Sequence, residues 1–231
     1  MTTTEIPTTE ATKPQPSNYV STAEWISKMK LTFGNATLPT IFPVMEAVGY
    51  SAEKIAGLQN QLTELEGLQQ VQTKEYAEKL AETEKFDIKR AEIDANFTKH
   101  RALGKILFKG NVNAIIALRI DEEKQRAYPG WAQQVSNFYA QLESTPALLT
   151  KVAGIGITST VLATQKQALA DLQTLKESQQ KETAEAQSAT DTRDQAFDAL
   201  YPLYSEYIQY AKILLADNQA LEAIGVKVKA K

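Results

Sequence analysis

The apolar residues of this chain recur at spacings of three and four over most of its length, which is the pattern of amphipathic α-helices. Residues 51–101 contain no proline, and Leu62, Phe86 and Phe97 fall on one heptad a/d series there. The second half of the chain repeats this series from residue 169 to residue 214. The pattern therefore predicts an all-α protein with a long heptad-patterned element, of the coiled-coil kind, in each half.

The middle of each long element is almost wholly polar, at 69–85 and at 176–192. One interpretation is a continuous helix of about 55 residues, which would extend about 80 Å at the helical rise per residue. The other is a helical hairpin that folds at the polar midpoint, as in a four-helix bundle. The unbroken heptad phase favours the continuous helix. Pro202 is expected to kink the second element or to begin a new helix there.

Shorter helices are predicted before each long element. Ser21 or Thr22 can cap a helix that begins near Ala23, and a corresponding helix begins close to Pro129 in the second half. Short apolar segments follow both helices and end at paired glycines, at positions 49 and 156, that suit a helix C-cap. The pattern thus predicts the same order of short and long helices twice.

The two halves also repeat in sequence. A shift of 107 positions aligns 49–111 with 156–218 without a gap, and 16 of these 63 pairs are identical, where composition alone would give about four. Upstream, Trp25 matches Trp131 at a shift of 106. We therefore predict a helical module at 20–127 and a homologous module at 128–231, which pack as one unit about a pseudo-twofold axis.

Composition and charge narrow the classes of function. The Thr/Pro-rich segment 1–19 has almost nothing to bury and is expected to be a disordered tail. It has neither the basic start nor the apolar core of a secretion signal, and no run is long enough to span a membrane, so a cytoplasmic location is expected. With 25 Lys+Arg against 28 Asp+Glu, the formal net charge of −3 offers no basic excess for nucleic acid.

Residues with catalytic or metal-binding chemistry are scarce. The chain has no cysteine and one histidine, so a nucleophilic site could centre only on His100, and a di-iron bundle would lack its histidine ligands. His100 lies on the inward heptad series and corresponds to Tyr207, which favours a residue at the edge of the core. Glu75, Glu78 and Glu82 are expected to be solvated and paired with lysines. We predict no catalytic residue, no metal site and no cofactor.

Four tyrosines near the end of the second long element are the candidate partner surface. They spread over two faces of one helix, so some of them are expected to be exposed to a protein partner or to a second copy of the chain. They are Tyr201, Tyr204, Tyr207 and Tyr210.

Two further segments have alternative interpretations. The apolar segment 148–163 is expected to be a buried connection between helices, and a concealed membrane-active segment is the alternative. The segment 123–134 mixes basic and aromatic residues, as in some phosphate-binding or base-binding surfaces. Only two of its residues are basic, so we expect a linker that anchors Trp131 in the core.

The junction between the modules carries a resemblance. A junction of basic residues, an aromatic residue, glycine and tryptophan comes first, formed by Lys124, Arg126, Tyr128, Gly130 and Trp131. The aromatic pair Phe138 and Tyr139 follows. With the long element behind it, this pattern resembles a group of uncharacterised bacterial helical proteins, mainly over residues 117–231. The resemblance implies a bacterial helical protein and brings no activity with it.

Three hypotheses about function follow from these features. The leading hypothesis is a non-enzymatic structural or adaptor protein whose long helices bind other proteins or further copies of itself. The first alternative is a membrane-acting helical protein that exposes 148–163. The second alternative is a helical bundle that binds a small ligand.

Overall fold

Helices form nearly all of the structure. The computed structural model of the protein describes residues 20–215 and 218–228, and within these ranges it contains helices and no strand. The all-α prediction is therefore confirmed, whereas the tail predicted at 1–19 lies outside the described residues. In chain order the helices are α1 (Thr22–Asn35), α2 (Phe42–Glu46), α3 (Ala52–Leu107), α4 (Val112–Leu118), α5 (Tyr128–Ser144), α6 (Pro146–Ala153), α7 (Ser159–Leu214) and α8 (Asn218–Ala223).

The two long elements are continuous helices. α3 and α7 contain 56 residues each and run through the polar segments 69–85 and 176–192, which decides against the hairpin alternative. These segments stay helical because a helix satisfies its own backbone hydrogen bonds and their side chains pair along one face, as Lys74 does with Glu78 at 2.9 Å. Pro202 lies inside α7 and does not begin a new helix, since buried residues on both sides hold α7 in place.

Local capping determines where the helices begin and end. Ser21 is the N-cap of α1, and its Oγ accepts a hydrogen bond from the Glu24 N–H at 3.3 Å. The Glu24 carboxylate accepts in return from the Ser21 N–H at 2.8 Å, which completes a capping box. Gly49 and Gly156 have φ angles of 92° and 86°, which glycine adopts without strain. The predicted start of the first helix is confirmed. The C-caps of α2 and α6 are Ala47 and Gly154, and the left-handed glycines follow two residues later.

The chain forms two compact units, and each long helix contributes to both. Among the described residues, unit 1 contains 20–69, 193–215 and 218–228, and unit 2 contains 70–192. Unit 1 thus combines α1, α2 and the start of α3 with the end of α7 and α8. The sequence modules 20–127 and 128–231 stay a prediction, and the units of packing follow a different division.

The core of unit 1 is rich in aromatic rings. Phe33 of α1, Tyr50 at the start of α3 and Tyr207 of α7 are completely or almost completely buried. The ring of Tyr207 meets those of Tyr50 and Phe33 edge-on, at centroid distances of 4.9 Å and 6.1 Å. These ring contacts pack the end of α7 against α1.

The core of unit 2 is assembled from α4, α5, α6, the second part of α3 and the first part of α7. Trp131 is 1% exposed, which confirms that the segment 123–134 anchors it in the core. The segment 148–163 also contributes buried side chains, as expected for a connection between helices, and these are Leu148, Val152, Ile157 and Leu162. Across 20–215 and 218–228, no helix combines the length and the hydropathy that crossing a membrane requires.

Candidate binding site

The four tyrosines of the candidate partner surface lie in different environments of unit 1. Tyr201 and Tyr204 are half-buried, Tyr210 is 40% exposed, and Tyr207 is 0% exposed. Tyr207 therefore lies in the core and not at a surface, and burial raises the pKa of its hydroxyl to about 12. A surface role for the other three tyrosines stays a prediction.

Tyr201 and Tyr204 line a pocket of about 460 Å³ in unit 1, which we call the Trp25 pocket. Its walls come from α1, from α7 and from the chain that follows α8. The lining residues are Trp25, Lys28, Tyr201, Tyr204, Ser205, Ile208, Lys212, Gly225, Val226 and Lys227. Only the tyrosines among them belong to the surface proposed from the sequence.

Helix α1 contributes an indole ring and a lysine to this pocket. The capping box fixes the first turn of α1, and Trp25 follows it directly. The indole ring meets Tyr201 and Tyr204 edge-on, at centroid distances of 5.0 Å and 6.0 Å. Lys28 lies one turn later in α1, with its Nζ 4.4 Å from the centroid of the Trp25 ring. This is cation–π geometry, so Lys28 holds a positive charge beside the aromatic wall.

Helix α7 contributes the opposite wall. Tyr201, Tyr204 and Ile208 have helical i, i+3 and i+7 spacing and therefore lie on one face of α7. Phe197, one turn earlier, stacks on Tyr201 with a centroid distance of 5.6 Å and an interplanar angle of 27°. Burial raises the pKa of Tyr204, so its hydroxyl is neutral near neutral pH. The face formed by Tyr201, Tyr204 and Ile208 is thus apolar, and Lys212 of the same helix adds a positive charge to the lining.

The third wall is the segment 225–227, which α1 holds in place. Thr32 Oγ1 donates to the carbonyl of Ile224 at 2.9 Å, and Asn35 Nδ2 donates to that of Ala223 at 2.7 Å. The last carbonyls of a helix have no partner within the helix, so side chains of α1 satisfy those at the end of α8. Sequence patterns gave no signal that residues 25 and 227 would share a pocket.

The Trp25 pocket carries an excess of positive charge. Lys28, Lys212 and Lys227 are exposed at its rim, and none of the described residues that line it is acidic. Among the described residues, no partner forms a salt bridge with any of these three lysines. In a chain with a net charge of −3, this is a local basic site with apolar walls.

A second pocket, of about 360 Å³, surrounds Trp131 in unit 2, and we call it the Trp131 pocket. Here a carboxylate and a lysine of the lining pair with each other. The Asp94 carboxylate accepts from Trp131 Nε1 at 2.8 Å and from Lys124 Nζ at 2.8 Å and 3.0 Å. Burial acts to raise the pKa of Asp94, but the hydrogen bonds from Lys124 and Trp131 outweigh it and hold that pKa below its usual value.

His100 lies in the core of unit 2, deeper than the core edge expected from the sequence. Its Nδ1 is 2.9 Å from the hydroxyl of Tyr139, and both residues are buried. Burial, together with the nearby charge of Lys99, lowers the pKa of His100. The imidazole is therefore neutral near neutral pH, and its contact with Tyr139 is a core hydrogen bond.

One cluster of acidic residues forms where the sequence gave no indication of it. Carboxylate oxygens of Glu75, Glu182 and Glu185 in unit 2 lie within 4.8 Å of one another. Lysines neutralise the cluster, since Lys74 pairs with Glu75 at 3.1 Å and Lys181 pairs with Glu185 at 3.0 Å. The predicted lysine pairs of Glu75, Glu78 and Glu82 are present, with Lys74 for the first two and Lys85 for the third, although Glu75 and Glu82 are partly buried.

Comparison of the chain with models of protein families, with curated proteins and with solved structures finds no match. The function is therefore inferred from the geometry of the two pockets and their surroundings.

Proposed function

We propose that this protein is a non-enzymatic adaptor, and that a segment of a partner protein docks in the Trp25 pocket of unit 1. The observation that supports this best is the set of half-buried rings of Trp25, Tyr201 and Tyr204, which contact one another and still line an open pocket. Aromatic side chains supply large contact areas at a low entropic cost, and they are enriched at protein interfaces for this reason.

The residues that line the Trp25 pocket favour binding over catalysis. Ser205 is the one aliphatic hydroxyl among them, and no histidine or carboxylate lines the pocket to activate it. His100 belongs to unit 2, where it is buried against Tyr139. The pocket thus offers apolar contact and positive charge, which are recognition elements.

We also propose that the chain is an internal duplication. The long helices have the same length and begin 107 positions apart, at Ala52 and Ser159. Core positions correspond at the same shift: Leu65 of unit 1 corresponds to Leu172 of unit 2. Leu200 of unit 1 likewise corresponds to Ile93 of unit 2, and all four are buried.

Contacts between the long helices support the same proposal. In unit 1, Arg193 Nη1 donates to Gln69 Oε1 at 3.2 Å. The positions 107 residues away are Phe86 and Lys176, and in unit 2 the Lys176 Nζ lies 5.2 Å from the ring centroid of Phe86. The same pair of positions is therefore in contact in both units, with different chemistry. The pseudo-twofold axis stays a prediction.

A small-ligand-binding bundle is the second candidate function. The volume of the Trp25 pocket, about 460 Å³, falls in the range of pockets that hold small molecules. Native mass spectrometry of the protein purified from its source cells separates the two candidates. A retained molecule of defined mass that is lost in Tyr201→Ala would favour the small ligand.

Site-specific photo-crosslinking tests the adaptor. Gln209 is exposed, and its Nε2 donates to Ser205 Oγ in the pocket wall at 3.3 Å, so a photoreactive amino acid at position 209 reports on the pocket rim. Thr63 is exposed on α3 and does not line the pocket, so position 63 is the matched control. Irradiation takes place in the source cells, and mass spectrometry identifies the adducts.

We expect one protein to crosslink at position 209 and not at position 63, and to lose the crosslink when Tyr201→Ala is added. The purified partner should then bind the wild-type protein in calorimetry and bind Tyr201→Ala at least about tenfold more weakly. Adducts that are the same at both positions, or that persist in Tyr201→Ala, would overturn the proposed docking site.

A further inference from the structure

The Trp131 pocket of unit 2 contains an internal carboxylate that the Trp25 pocket of unit 1 lacks. In unit 2 the Asp94 carboxylate receives the indole N–H of Trp131 and the ammonium group of Lys124. In the proposed duplication, Trp131 corresponds to Trp25 at a shift of 106, and Asp94 corresponds to Tyr201 at a shift of 107. The position that holds a carboxylate in one unit therefore holds a tyrosine ring in the other.

The groups that would hold such a carboxylate are present in unit 1, and among the described residues none of them forms a hydrogen bond or salt bridge with a carboxylate. Among the described residues, none accepts a hydrogen bond from the Trp25 indole N–H, whereas Trp131 Nε1 has Asp94 at 2.8 Å. Lys28, Lys212 and Lys227 have no salt-bridge partner in the described part of the chain, whereas Lys124 is paired with Asp94. Unit 1 thus presents a tryptophan and lysines without the acid that completes this set in unit 2.

We propose that the Trp25 pocket binds an acidic segment of a partner protein, in which an aspartate or glutamate carboxylate accepts from the Trp25 indole N–H and the lysines, as Asp94 accepts from Trp131 and Lys124 in unit 2, and an apolar side chain packs on Tyr201 and Tyr204. This inference rests on the proposed adaptor function and on the proposed duplication, and it adds the chemical class of the docking segment.

A polypeptide fits the pocket better than a free small acid does. The three lysines are exposed, and each ion pair with an exposed lysine raises affinity only by a factor of about two to five. A free carboxylate such as acetate would gain little else. A peptide segment also covers the apolar walls formed by Tyr201, Tyr204 and Ile208, which adds the hydrophobic contribution.

The two tryptophans of the chain provide an internal control for the test. Their indole N–H groups give two signals in a ¹H–¹⁵N spectrum of the full chain, and Trp25→Phe assigns them. The probe is the acetylated and amidated peptide DELFD, and its neutral analogue NQLFN is the matched control. Sodium acetate at the same carboxylate concentration separates a peptide site from a general anion site.

We expect DELFD to shift the Trp25 signal saturably and to leave the Trp131 signal unchanged, while NQLFN and acetate shift neither. The triple variant Lys28→Gln, Lys212→Gln, Lys227→Gln should weaken DELFD binding roughly tenfold, because three exposed ion pairs are lost together. An unchanged Trp131 signal in this variant shows that it is folded.

Three results would overturn the inference. The first is a Trp25 signal that does not move at about 1 mM DELFD, a concentration at the weak end of specific binding. The second is a neutral peptide that binds as tightly as the acidic one. The third is a shift with acetate as large as the shift with the peptide, which would mean that the site binds a free anion. If the crosslink at position 209 identifies a partner and DELFD does not bind, the adaptor proposal is supported and the proposal of an acidic docking segment is refuted. If DELFD binds and no partner crosslinks, the adaptor proposal is refuted.

Discussion

Tyr207→Phe is expected to stabilise the protein. Tyr207 is completely buried in unit 1, and its hydroxyl has no hydrogen-bond partner among the described residues. Its counterpart at a shift of 107 is His100, which is hydrogen-bonded to Tyr139 in unit 2. The residue that corresponds to Tyr139 is Phe33, at a shift of 106, and it has no hydroxyl. Of the two positions that form a hydrogen bond in unit 2, unit 1 therefore has the polar Tyr207 at one and the apolar Phe33 at the other.

The size of the effect follows from the cost of burying an unpaired hydroxyl, about 1–3 kcal/mol. Phenylalanine keeps the ring and its edge-on contacts with Tyr50 and Phe33, so little packing is lost. We expect the free energy of unfolding to rise by about 1 kcal/mol in Tyr207→Phe. The matched variant Tyr139→Phe leaves the buried Nδ1 of His100 unpaired, and we expect it to lower the free energy of unfolding by about 1–2 kcal/mol.

Urea unfolding near neutral pH, followed by circular dichroism, measures both variants. Burial raises the pKa of Tyr207 to about 12, so this tyrosine is neutral throughout the experiment and its ionisation does not contribute. Equal slopes against urea concentration are needed for the comparison, since a changed slope reports a changed unfolding reaction. A Tyr207→Phe variant that is less stable than the wild type would show that the hydroxyl is satisfied, and the reasoning would be refuted.

Three further substitutions test the electrostatics and the backbone, each by chemical or thermal unfolding. Asp94→Ala removes the acceptor of Trp131 and Lys124 and should lower the free energy of unfolding by about 1–2 kcal/mol. Asp87 is exposed, so Asp87→Ala should change the free energy of unfolding by less than about 0.5 kcal/mol. Similar losses in both variants would contradict the stabilising role of the Asp94 contacts. Burial lowers the pKa of His100, so on acidification below about pH 6.5 the unfolded chain takes up a proton first and the folded state loses stability. His100→Gln should therefore lose less stability than the wild type between neutral pH and about pH 5, and an equal loss would argue against this role. Gly225 has a φ of 82°, and an added Cβ would lie 3.1 Å from a leucine side chain, so Gly225→Ala should lower the free energy of unfolding by about 1–2 kcal/mol. A Cβ at Gly34 would meet open space, so Gly34→Ala should leave the free energy of unfolding unchanged or raise it. The reverse order of stability would contradict this reasoning.

Interactions between residues that are close together in the chain explain the structural features that were predicted correctly. The capping box at Ser21 and Glu24 and the left-handed glycines at 49 and 156 depend on neighbouring residues, so the sequence indicates them directly. The continuity of α3 and α7 was harder to predict, because the polar segments 69–85 and 176–192 carry no apolar face to signal a partner. The heptad phase and the absence of turn residues favoured the observed result.

The candidate site was predicted only in part. The spacing of the four tyrosines spread them over two faces of a helix, but it could not distinguish the half-buried Tyr201 and Tyr204 from the buried Tyr207. Burial depends on which segment packs against each face, and here α1 and the start of α3 supply the covering rings. Lys227 and Trp25 lie about 200 positions apart in the chain, so their shared pocket has no signature in local sequence.

The sequence by itself determined that this protein is helical, where its first helix begins, and that it has no cysteine and one histidine, since caps, heptads and residue counts are local properties. Tertiary structure alone decided that α1 and the start of α3 pack with the end of α7 in unit 1. It also decided that Asp94 forms a salt bridge, while within 20–215 and 218–228 the lysines around Trp25 form none. The physical reason is that packing and charge pairing depend on residues brought together from distant parts of the chain, and the free energy of those contacts cannot be read from either partner alone.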